Sequence, residues 1–343
     1  MDQRGKRNEG ERKNSNRISL KNQNFKFPFL YVFSTMPKES FEQFVKRQKE
    51  KLERAKRMIE GVKEKCEKEK ERFIEKSVDE LKRVWKENEK EVLDKMDFKM
   101  ASSFFLSLPL PEVPPSFLEK ISNKFLKEFD WKGFKEKISF EEELSFPSLF
   151  LSAFLKKNVE NYILSQKKKG IKEEKIKPIE LHLDVKELPF PLDCLGYQNP
   201  RKLHLIIEGN VGNGIGLEME GGEIVVKGDC KNYTGKKKKD GKIIVEGNCD
   251  SWTGEEMNGG EIIVKGNCGW CTGEDMKDGK IIVEGNCGSY TGGKMKGGEL
   301  NLKGKVESFD ESAFSPSNKG TIILKNVKIW ENGHWTKEGE KMR

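Results

Sequence analysis

Cysteines at a regular spacing are the residues of this chain that could support redox or metal chemistry. They recur every nineteen residues, so stacking of the copies would bring neighbouring thiols close enough to consider a disulfide. The alternative is a tight apolar column, because a free cysteine packs as a small hydrophobic residue. Val211 holds the same position in the first copy and favours this alternative. The candidate thiol column comprises Cys230, Cys249, Cys268 and Cys287, with Cys271 as a further candidate.

Cys268 and Cys271 also form a C-x-x-C motif. A redox site of the thioredoxin type requires such a pair at a helix N-terminus within a βαβ pattern. Here Cys271 stands instead at a repeat position that other copies fill with Tyr233, Trp252 and Tyr290. We therefore interpret the motif as a coincidence of the repeat.

A glycine-rich stretch, GNVGNGIG at residues 209–216, follows an apolar run and suggests a phosphate-binding loop. The dinucleotide pattern G-x-G-x-x-G fails, because Leu217 and Met219 stand where its third glycine is needed. His182, His204 and His334 have no metal-ligand spacing. We therefore predict no catalytic, cofactor-binding or metal-binding residue, and no cofactor.

The cysteine column and the glycine-rich stretch both belong to a repeat that covers residues 203–304. Two of its copies read GGEIIVKGNCGWCTGEDMK and DGKIIVEGNCGSYTGGKMK. One short β-branched run and three glycine positions in each nineteen-residue copy are typical of a solenoid. We expect one strand per coil, with the glycines at the corners, where a positive φ is needed.

Alternation along each strand predicts which side chains form the core. Asn301 holds the middle position in the last copy, so that position faces outward and its apolar neighbours face inward. A methionine column should join the core, with Lys238 as its exception. The predicted inward columns are Leu205, Ile224, Ile243, Ile262, Ile281 and Leu300; Ile207, Val226, Val245, Val264, Val283 and Leu302; and Met219, Met257, Met276 and Met295.

The outward face combines charge with an apolar stripe. Two columns, one from Glu223 to Glu299 and one from Glu208 to Lys303, alternate in sign from coil to coil. Opposite charges on neighbouring strands would fix the register, because a slip of one coil sets like charges side by side. We predict that the stripe between them is covered by the N-terminal helices or by another subunit. This candidate interface stripe comprises Ile206, Val225, Ile244, Ile263 and Ile282.

The chain before the repeat is predominantly helical. Apolar residues from Phe41 to Phe73 approximate heptads, with Gln48 and Glu69 as polar interruptions, and Ser77 to Glu80 resembles a capping box that starts a second helix. Two such helices form either a hairpin or one interrupted rod. Residues 98–115 are predicted to be a linker, 117–129 and 147–169 to be helices, and 179–185 a strand.

These elements give five expected regions. They are a basic disordered tail (1–27), long helices or a coiled coil (28–97), a helical region with proline-rich linkers and one strand (98–200), the solenoid (201–330) and a C-terminal tail (331–343). The fold class is therefore α+β, a helical and coiled-coil half followed by a β-solenoid with nineteen-residue coils.

Composition favours a soluble, cytoplasmic protein. The net charge is +8, with the excess concentrated in the tail. A basic tail of this kind is usually disordered and solvated, so we expect no nucleic-acid partner; the alternative is that the tail alone docks on nucleic acid or on an acidic partner. The apolar runs fall far short of the roughly 20 residues that span a bilayer, and the polar N-terminus does not resemble a signal peptide. The remaining partner is another protein or a second copy, bound through the coiled coil and the solenoid face.

The repeat unit G-x-x-M-x-G-G-x-I-x-V-x-G-N-x-G resembles the GXGXG β-helix module. Matching stretches run from Met257 to Gly269 and from Met295 to Leu300. The module occurs at the C-terminus of the glutamate synthase large subunit and in one of the subunits of formylmethanofuran dehydrogenase. The resemblance covers residues 203–304 and implies a right-handed, single-stranded β-helix with a structural role and no catalytic residues. This chain departs from the module's families in two ways: cysteine fills an interior column where they have a small residue, and the N-terminal half is helical.

Four functions follow as hypotheses. The first is a non-catalytic scaffold or assembly protein whose β-helix packs helices or a partner subunit, so that the chain is not an enzyme on its own. The alternative is a non-catalytic accessory subunit of a formylmethanofuran dehydrogenase-like or glutamate synthase-like oxidoreductase. A polymer-forming solenoid and a thiol or metal protein are the third and fourth.

Overall fold

One long, continuous helix opens the described part of the chain. The structure, a computed structural model, describes residues 38–137 and 145–343, so the predicted basic tail (1–27) and residues 28–37 of the predicted long helices lie outside the described residues. The chain divides into residues 1–68 and residues 69–343. Helix α1 spans Lys38–Lys95, and Leu52, Met58, Ile59 and Val62 on its first part are exposed.

The predicted second helix start at Ser77 is wrong. The Ser77 hydroxyl donates to the backbone carbonyl of Phe73, 2.8 Å away, inside α1. A serine in the middle of a helix commonly bonds the carbonyl four residues earlier, whereas a capping serine bonds an amide that follows it. The residues that look like a capping box therefore lie within one uninterrupted helix, and neither the hairpin nor the interrupted rod forms.

Four further helices build an aromatic core in the second unit. They are α2 (Phe98–Ser107), α3 (Pro115–Glu128), α4 (Trp131–Lys135) and α5 (Phe146–Lys168). The ring of Trp85 from α1 lies 5.4–5.9 Å from its aromatic neighbours, close enough for favourable edge contacts. Those neighbours are Phe105, Phe129, Phe134 and Phe150.

The predicted linker at residues 98–115 is half wrong. Its first part is α2, which starts where the Asp97 carboxylate accepts a hydrogen bond from the Met100 amide, 2.8 Å away. Residues 98–108 contain neither proline nor glycine, so the helix that Asp97 caps continues to Ser107, and the prolines from position 109 onward mark the true break. The predicted helices at 117–129 and 147–169 correspond to α3 and α5.

The solenoid is a single ten-stranded sheet whose strands follow one another in chain order. Strands β1 to β8 pair in parallel, and the register from Glu223 to Lys242 and onward to Glu299 advances by nineteen residues per coil. The predicted strand at 179–185 is β1 and joins this sheet. The strands are β1 (Ile179–Asp184), β2 (Leu203–Glu208), β3 (Glu223–Lys227), β4 (Lys242–Val245), β5 (Asn258–Val264), β6 (Asp278–Val283), β7 (Glu299–Leu302), β8 (Thr321–Leu324), β9 (Val327–Glu331) and β10 (His334–Trp335).

The predicted inward columns form the solenoid core. Both columns of Ile, Val and Leu and the four methionines are fully or almost fully buried. Lys238 replaces methionine in its coil and is also fully buried. Sign alternation and inward alternation therefore agree with the same nineteen-residue register, which confirms the predicted β-solenoid.

Glycines serve two different purposes in each coil. Gly241 has a φ of +81°, a left-handed conformation that most side chains avoid. Gly247 instead needs space, because a Cβ there would lie 2.6 Å from the carbonyl oxygen of Gly228 in the preceding coil. The expectation that every glycine column forms a corner with positive φ is therefore wrong for the column that follows the strands.

Both ends of the parallel sheet are covered. At the first edge, α3 packs on β1, and its Asn123 side chain accepts from the Asp184 amide at 3.0 Å and donates to the His182 carbonyl at 2.6 Å. At the other edge, β9 pairs antiparallel with β8 and β10 with β9, and α6 (Lys337–Glu340) packs on both β9 and β10. Residues 331–343, expected to be a tail, thus complete the fold. Short 3₁₀ turns lie at Glu173–Lys175 and Glu311–Phe314.

Candidate interaction surface

The thiol column lies inside the solenoid. Cys230, Cys249, Cys268 and Cys287 pair in register on successive coils, and Val306 follows them in the next coil. All four are free and buried, and burial raises the pKa of the Cys230 and Cys249 thiols well above the usual range. Because the thiolate is the form that attacks disulfides and binds metals, the Cys230 and Cys249 thiols are poorly suited to either reaction. Valine at both ends of the column supports the apolar interpretation.

The C-x-x-C motif does not have the geometry of a redox site. It lies in the loop between β5 and β6, with Cys268 buried and Cys271 half-buried. Burial and the Glu274 carboxylate raise the pKa of the Cys271 thiol. A helix N-terminus and a cationic neighbour would lower that pKa, which is the opposite effect.

Aromatic side chains line one corner of the coils. From the sequence they are visible only as residues that share one position of the repeat, and their stacking is not predicted. The Tyr233 and Trp252 rings stack with centroids 5.1 Å apart, and Tyr290 is 56% exposed. All have φ near +60°, a strained conformation for a bulky residue. Gly214 holds this position in the first coil with φ +69°, a signal that the corner requires a left-handed residue.

A groove of about 800 Å³ lies beside the first of these aromatic residues. Gly214 from the glycine-rich stretch lines it, together with Phe190, Tyr233 and Lys236. The amides of the stretch are already used: Gly212 donates to Leu192 at 2.9 Å and Gly214 donates to Asn232 at 2.8 Å. Amides bonded to neighbouring coils are not free to cradle a phosphate.

Lys238 is the one strongly perturbed amine of the solenoid core. Its Nζ donates to the carbonyl oxygens of Gly241 and Gly259, the second at 3.1 Å. Burial lowers the pKa of this ammonium to about 8, while the Asp240 and Glu261 carboxylates act in the other direction. Both hydrogen-bond partners are backbone atoms, so the lysine is a core residue satisfied by the fold.

The charge columns form ion pairs between coils on the outward face. Lys227 binds Glu208 at 2.7 Å, and Lys242 binds Glu261 at 3.0 Å. The remaining pairs are Glu246 with Lys265 at 3.2 Å, Glu284 with Lys303 at 2.9 Å and Lys280 with Glu299 at 2.9 Å. Exposed pairs of this kind contribute roughly 0–1 kcal/mol each, so their larger effect is on register.

The interface stripe lies between these columns and remains half-exposed from Ile206 to Ile282. Its members are in direct register on β2 to β6, and Asn301 continues the row on β7. Among the described helices that precede the sheet, α3 packs on β1 and none packs closely on β2 to β6. Helix α5 bonds instead to loop residues beside the strands, through Ser152 to Gly196 and through Lys156 to Glu220. Of the two predicted ways of covering the stripe, cover by another subunit therefore remains a prediction.

The three histidines do not form a metal site. His182 lies 3.4 Å from the Glu180 carboxylate, and His204 lies 3.9 Å from that of Glu223. Within residues 38–137 and 145–343, no three side chains of His, Cys, Asp or Glu are grouped to hold a metal ion. In the same ranges, no helix has the length and apolar character needed to cross a membrane.

Comparison with protein-family models and with curated proteins gives no match to this chain.

Proposed function

We propose that this protein is a non-catalytic scaffold whose solenoid binds another protein along its outward face. The observation that supports this most directly is the half-exposed interface stripe, Ile206 to Ile282, set between two columns of alternating charge. Five neighbouring strands about 4.8 Å apart give a flat apolar row of roughly 19 Å. A row of this kind with a charged rim is the arrangement expected of a protein interface.

Energetics favour the stripe over the strand edges as the binding surface. Complete burial of an exposed Ile or Val is worth about 1.5–3 kcal/mol, so covering half-exposed members yields part of that for each. The sheet edges are less available, because Asn123 bonds to β1 and β9 pairs with β8. These caps argue against a polymer built by adding one solenoid to the next.

The finer features of this proposal come from the sequence. We propose that the coils wind right-handedly, as the resemblance to the GXGXG module implies and as parallel crossover connections favour. The first part of α1 would serve as a coiled-coil arm for assembly, in the cytoplasm. The accessory-subunit alternative depends on the resemblance alone, and co-purification with a molybdenum or tungsten enzyme would support it.

The test is affinity capture of the intact chain from its native cells, compared with a variant carrying Ile244→Asn and Ile263→Asn. Asparagine is chosen because Asn301 already holds this position on β7, so the coil tolerates it. Matched control substitutions are Lys305→Asn and Glu307→Asn, at exposed positions away from the stripe. We expect the stripe variant to remain folded, with a somewhat lower melting temperature because two half-buried apolar side chains are lost, and to lose its captured protein, whereas the control keeps it.

Equal capture by the wild type, the stripe variant and the control would exclude the stripe as the interface. Absence of any captured protein in all three would remove the scaffold function itself.

A further inference from the structure

The first part of α1 presents a narrow heptad seam. With Val45 taken as position a, the a positions are Val45, Leu52, Ile59 and Cys66, and the d positions are Gln48, Ala55 and Val62. Leu52, Ile59 and Val62 are 56–63% exposed, so in the single chain they contact mainly solvent. Apolar residues repeating at a and d are the pattern by which one helix packs on another.

The positions that flank this seam carry charge of one sign. In a coiled coil the e and g residues lie beside the seam and face the partner helix. Between residues 45 and 66 these positions contain no acid, and all but Met58 are lysine. The flanking lysines are Lys49, Lys56 and Lys63 at e, and Lys51 and Lys65 at g.

The outer positions b, c and f have a different composition. They contain all the acids of this stretch, mixed with a similar number of basic residues. Lys56 pairs with one of these acids, Glu53, at 2.8 Å, but both side chains are more than half exposed and can exchange partners. The charged outer residues are Lys46, Arg47, Glu50, Glu53, Arg54, Arg57, Glu60 and Glu64, and Gly61 is the ninth outer position.

A second copy of the same helix is a poor partner for this seam. In a parallel pair, g of one helix faces e of the other, which sets Lys51 against Lys56. In an antiparallel pair, e faces e and g faces g, which again sets lysine against lysine. Like charges at these positions are used by coiled coils to reject a partner. The flanks therefore act against a homodimer in either orientation.

An anionic membrane surface also fits the seam poorly. A helix that lies in the lipid interface needs a broad apolar face. Here the seam is interrupted by Gln48 and presents only a small side chain at Ala55, and its width is that of a coiled-coil contact. Its regular spacing favours a helix as the occupant.

We propose that residues 45–66 of α1 bind an acidic helix of a different protein, one with apolar residues at a and d and with Glu or Asp at e and g. Lysines on both sides of the seam would then face carboxylates on both sides of the partner. This inference deepens the proposed assembly role, because it gives the chemistry of the partner of the α1 arm. It concerns a surface separate from the interface stripe.

The first experiment titrates the full chain with each of two synthetic helical peptides of about four heptads and measures binding by calorimetry. One peptide has Leu at a and d and Glu at every e and g, and the other has Lys in place of each Glu. We expect the Glu peptide to bind at least about tenfold more tightly, with an affinity that falls as salt is raised. Equal affinity for both peptides, or no binding of the Glu peptide, would overturn the proposal.

The second experiment uses charge reversal with a matched control. The flank variant carries Lys49→Glu, Lys56→Glu and Lys63→Glu, and the control carries Lys46→Glu, Arg54→Glu and Arg57→Glu, an equal charge change at outer positions. We expect the flank variant to lose Glu-peptide binding by at least about tenfold and the control to change by less than about threefold. An equal loss of Glu-peptide affinity in the flank variant and in the control would mean that only net charge matters, and it would overturn the proposal.

Two other occupants are outcomes of the same series. Sedimentation of the full chain alone should give a monomer, and a dimer that Leu52→Lys dissociates would identify a second copy instead. Vesicles containing phosphatidylserine should bind no more strongly to the wild type than to the flank variant, and the opposite result would identify a membrane. The variants Ile244→Asn and Ile263→Asn should leave Glu-peptide binding unchanged, which separates this inference from the solenoid interface.

Discussion

Lys238 and Gly259 are joined across two neighbouring coils by a hydrogen bond of 3.1 Å from Nζ to the carbonyl oxygen. The lysine occupies a fully buried position that other coils fill with Met219, Met257 and Met276. The solenoid therefore contains one ionisable amine in an otherwise apolar column. The methionines at the equivalent position of the other coils show how an apolar side chain fills the same space.

We expect Lys238→Met to raise the free energy of unfolding by up to about 3 kcal/mol at pH 7. Burial disfavours the ammonium, and the other coils show that methionine fits this position. Urea denaturation of the full chain measures the change. Met257→Lys is the matched reverse substitution and should destabilise, and a loss of stability in Lys238→Met would mean that the two carbonyl bonds outweigh the burial of charge.

The advantage of Lys238→Met should shrink as pH rises. Below about pH 8 the lysine is protonated in both folded and unfolded chains, so the full penalty is present. Between about 8 and the ordinary value of 10.5 the unfolded chain binds more protons, so the wild type gains stability with pH relative to the variant. Denaturation at pH 7 and at pH 10 measures this difference, and a constant difference would contradict the lowered pKa.

Glu299→Lys should destabilise the solenoid modestly and in a salt-dependent manner. It would replace the 2.9 Å ion pair with Lys280 by two like charges, at a position whose other neighbour, Thr321, is neutral. We expect a loss of about 0.5–1 kcal/mol at low ionic strength that largely disappears in about 1 M salt. Glu307→Lys, an equal charge change elsewhere, should have a smaller effect, and equal effects would assign the loss to net charge.

The four thiols of the column should resist modification in the folded protein. Cys66 is exposed and should react rapidly with a maleimide, and the half-buried Cys271 more slowly. Cys230 and its three neighbours in the column should react only after denaturation, because they are buried. Peptide mass spectrometry after timed labelling measures the order. Rapid labelling of Cys249 in the native chain would show that the column opens to solvent.

Asn123→Ala should expose the first edge of the solenoid. The substitution removes the hydrogen bonds to His182 and Asp184 and leaves the backbone groups of β1 without these partners. We expect a loss of about 1–2 kcal/mol in unfolding free energy and a tendency to associate at high concentration, since a bare strand edge is a site for pairing. Sedimentation velocity measures the second effect. Lys120→Ala on the same helix is the control, and identical behaviour of both variants would show that α3 covers the edge without these bonds.

Much of the solenoid was predictable because its signals repeat. Asn301 decided which side of each strand faces outward, and a regular alternation of Glu and Lys then fixed the register without knowledge of any distant contact. Local signals without repetition were less informative. Ser77 and Glu80 match a helix start, but the serine bonds back to Phe73 within a longer helix.

The caps of the solenoid depend on contacts between distant parts of the chain. Glu119 resembles a capping residue of its own helix, yet its carboxylate accepts a hydrogen bond from the His182 amide, 3.0 Å away. Tyr233 and Trp252, whose rings stack, both have a left-handed backbone, which their residue types argue against. Only Gly214 in the equivalent position of the first coil hinted at that conformation.

The alternating ion pairs of the outward face also restrict how such a protein can change in length during evolution. Removal of one coil would place Glu223 beside Glu261, and duplication of one coil would likewise create a contact between like charges. Gain or loss of two adjacent coils preserves every opposite-charge neighbour. Tandem duplication in this lineage should therefore have proceeded by pairs of coils, so that the heritable unit is twice the structural one.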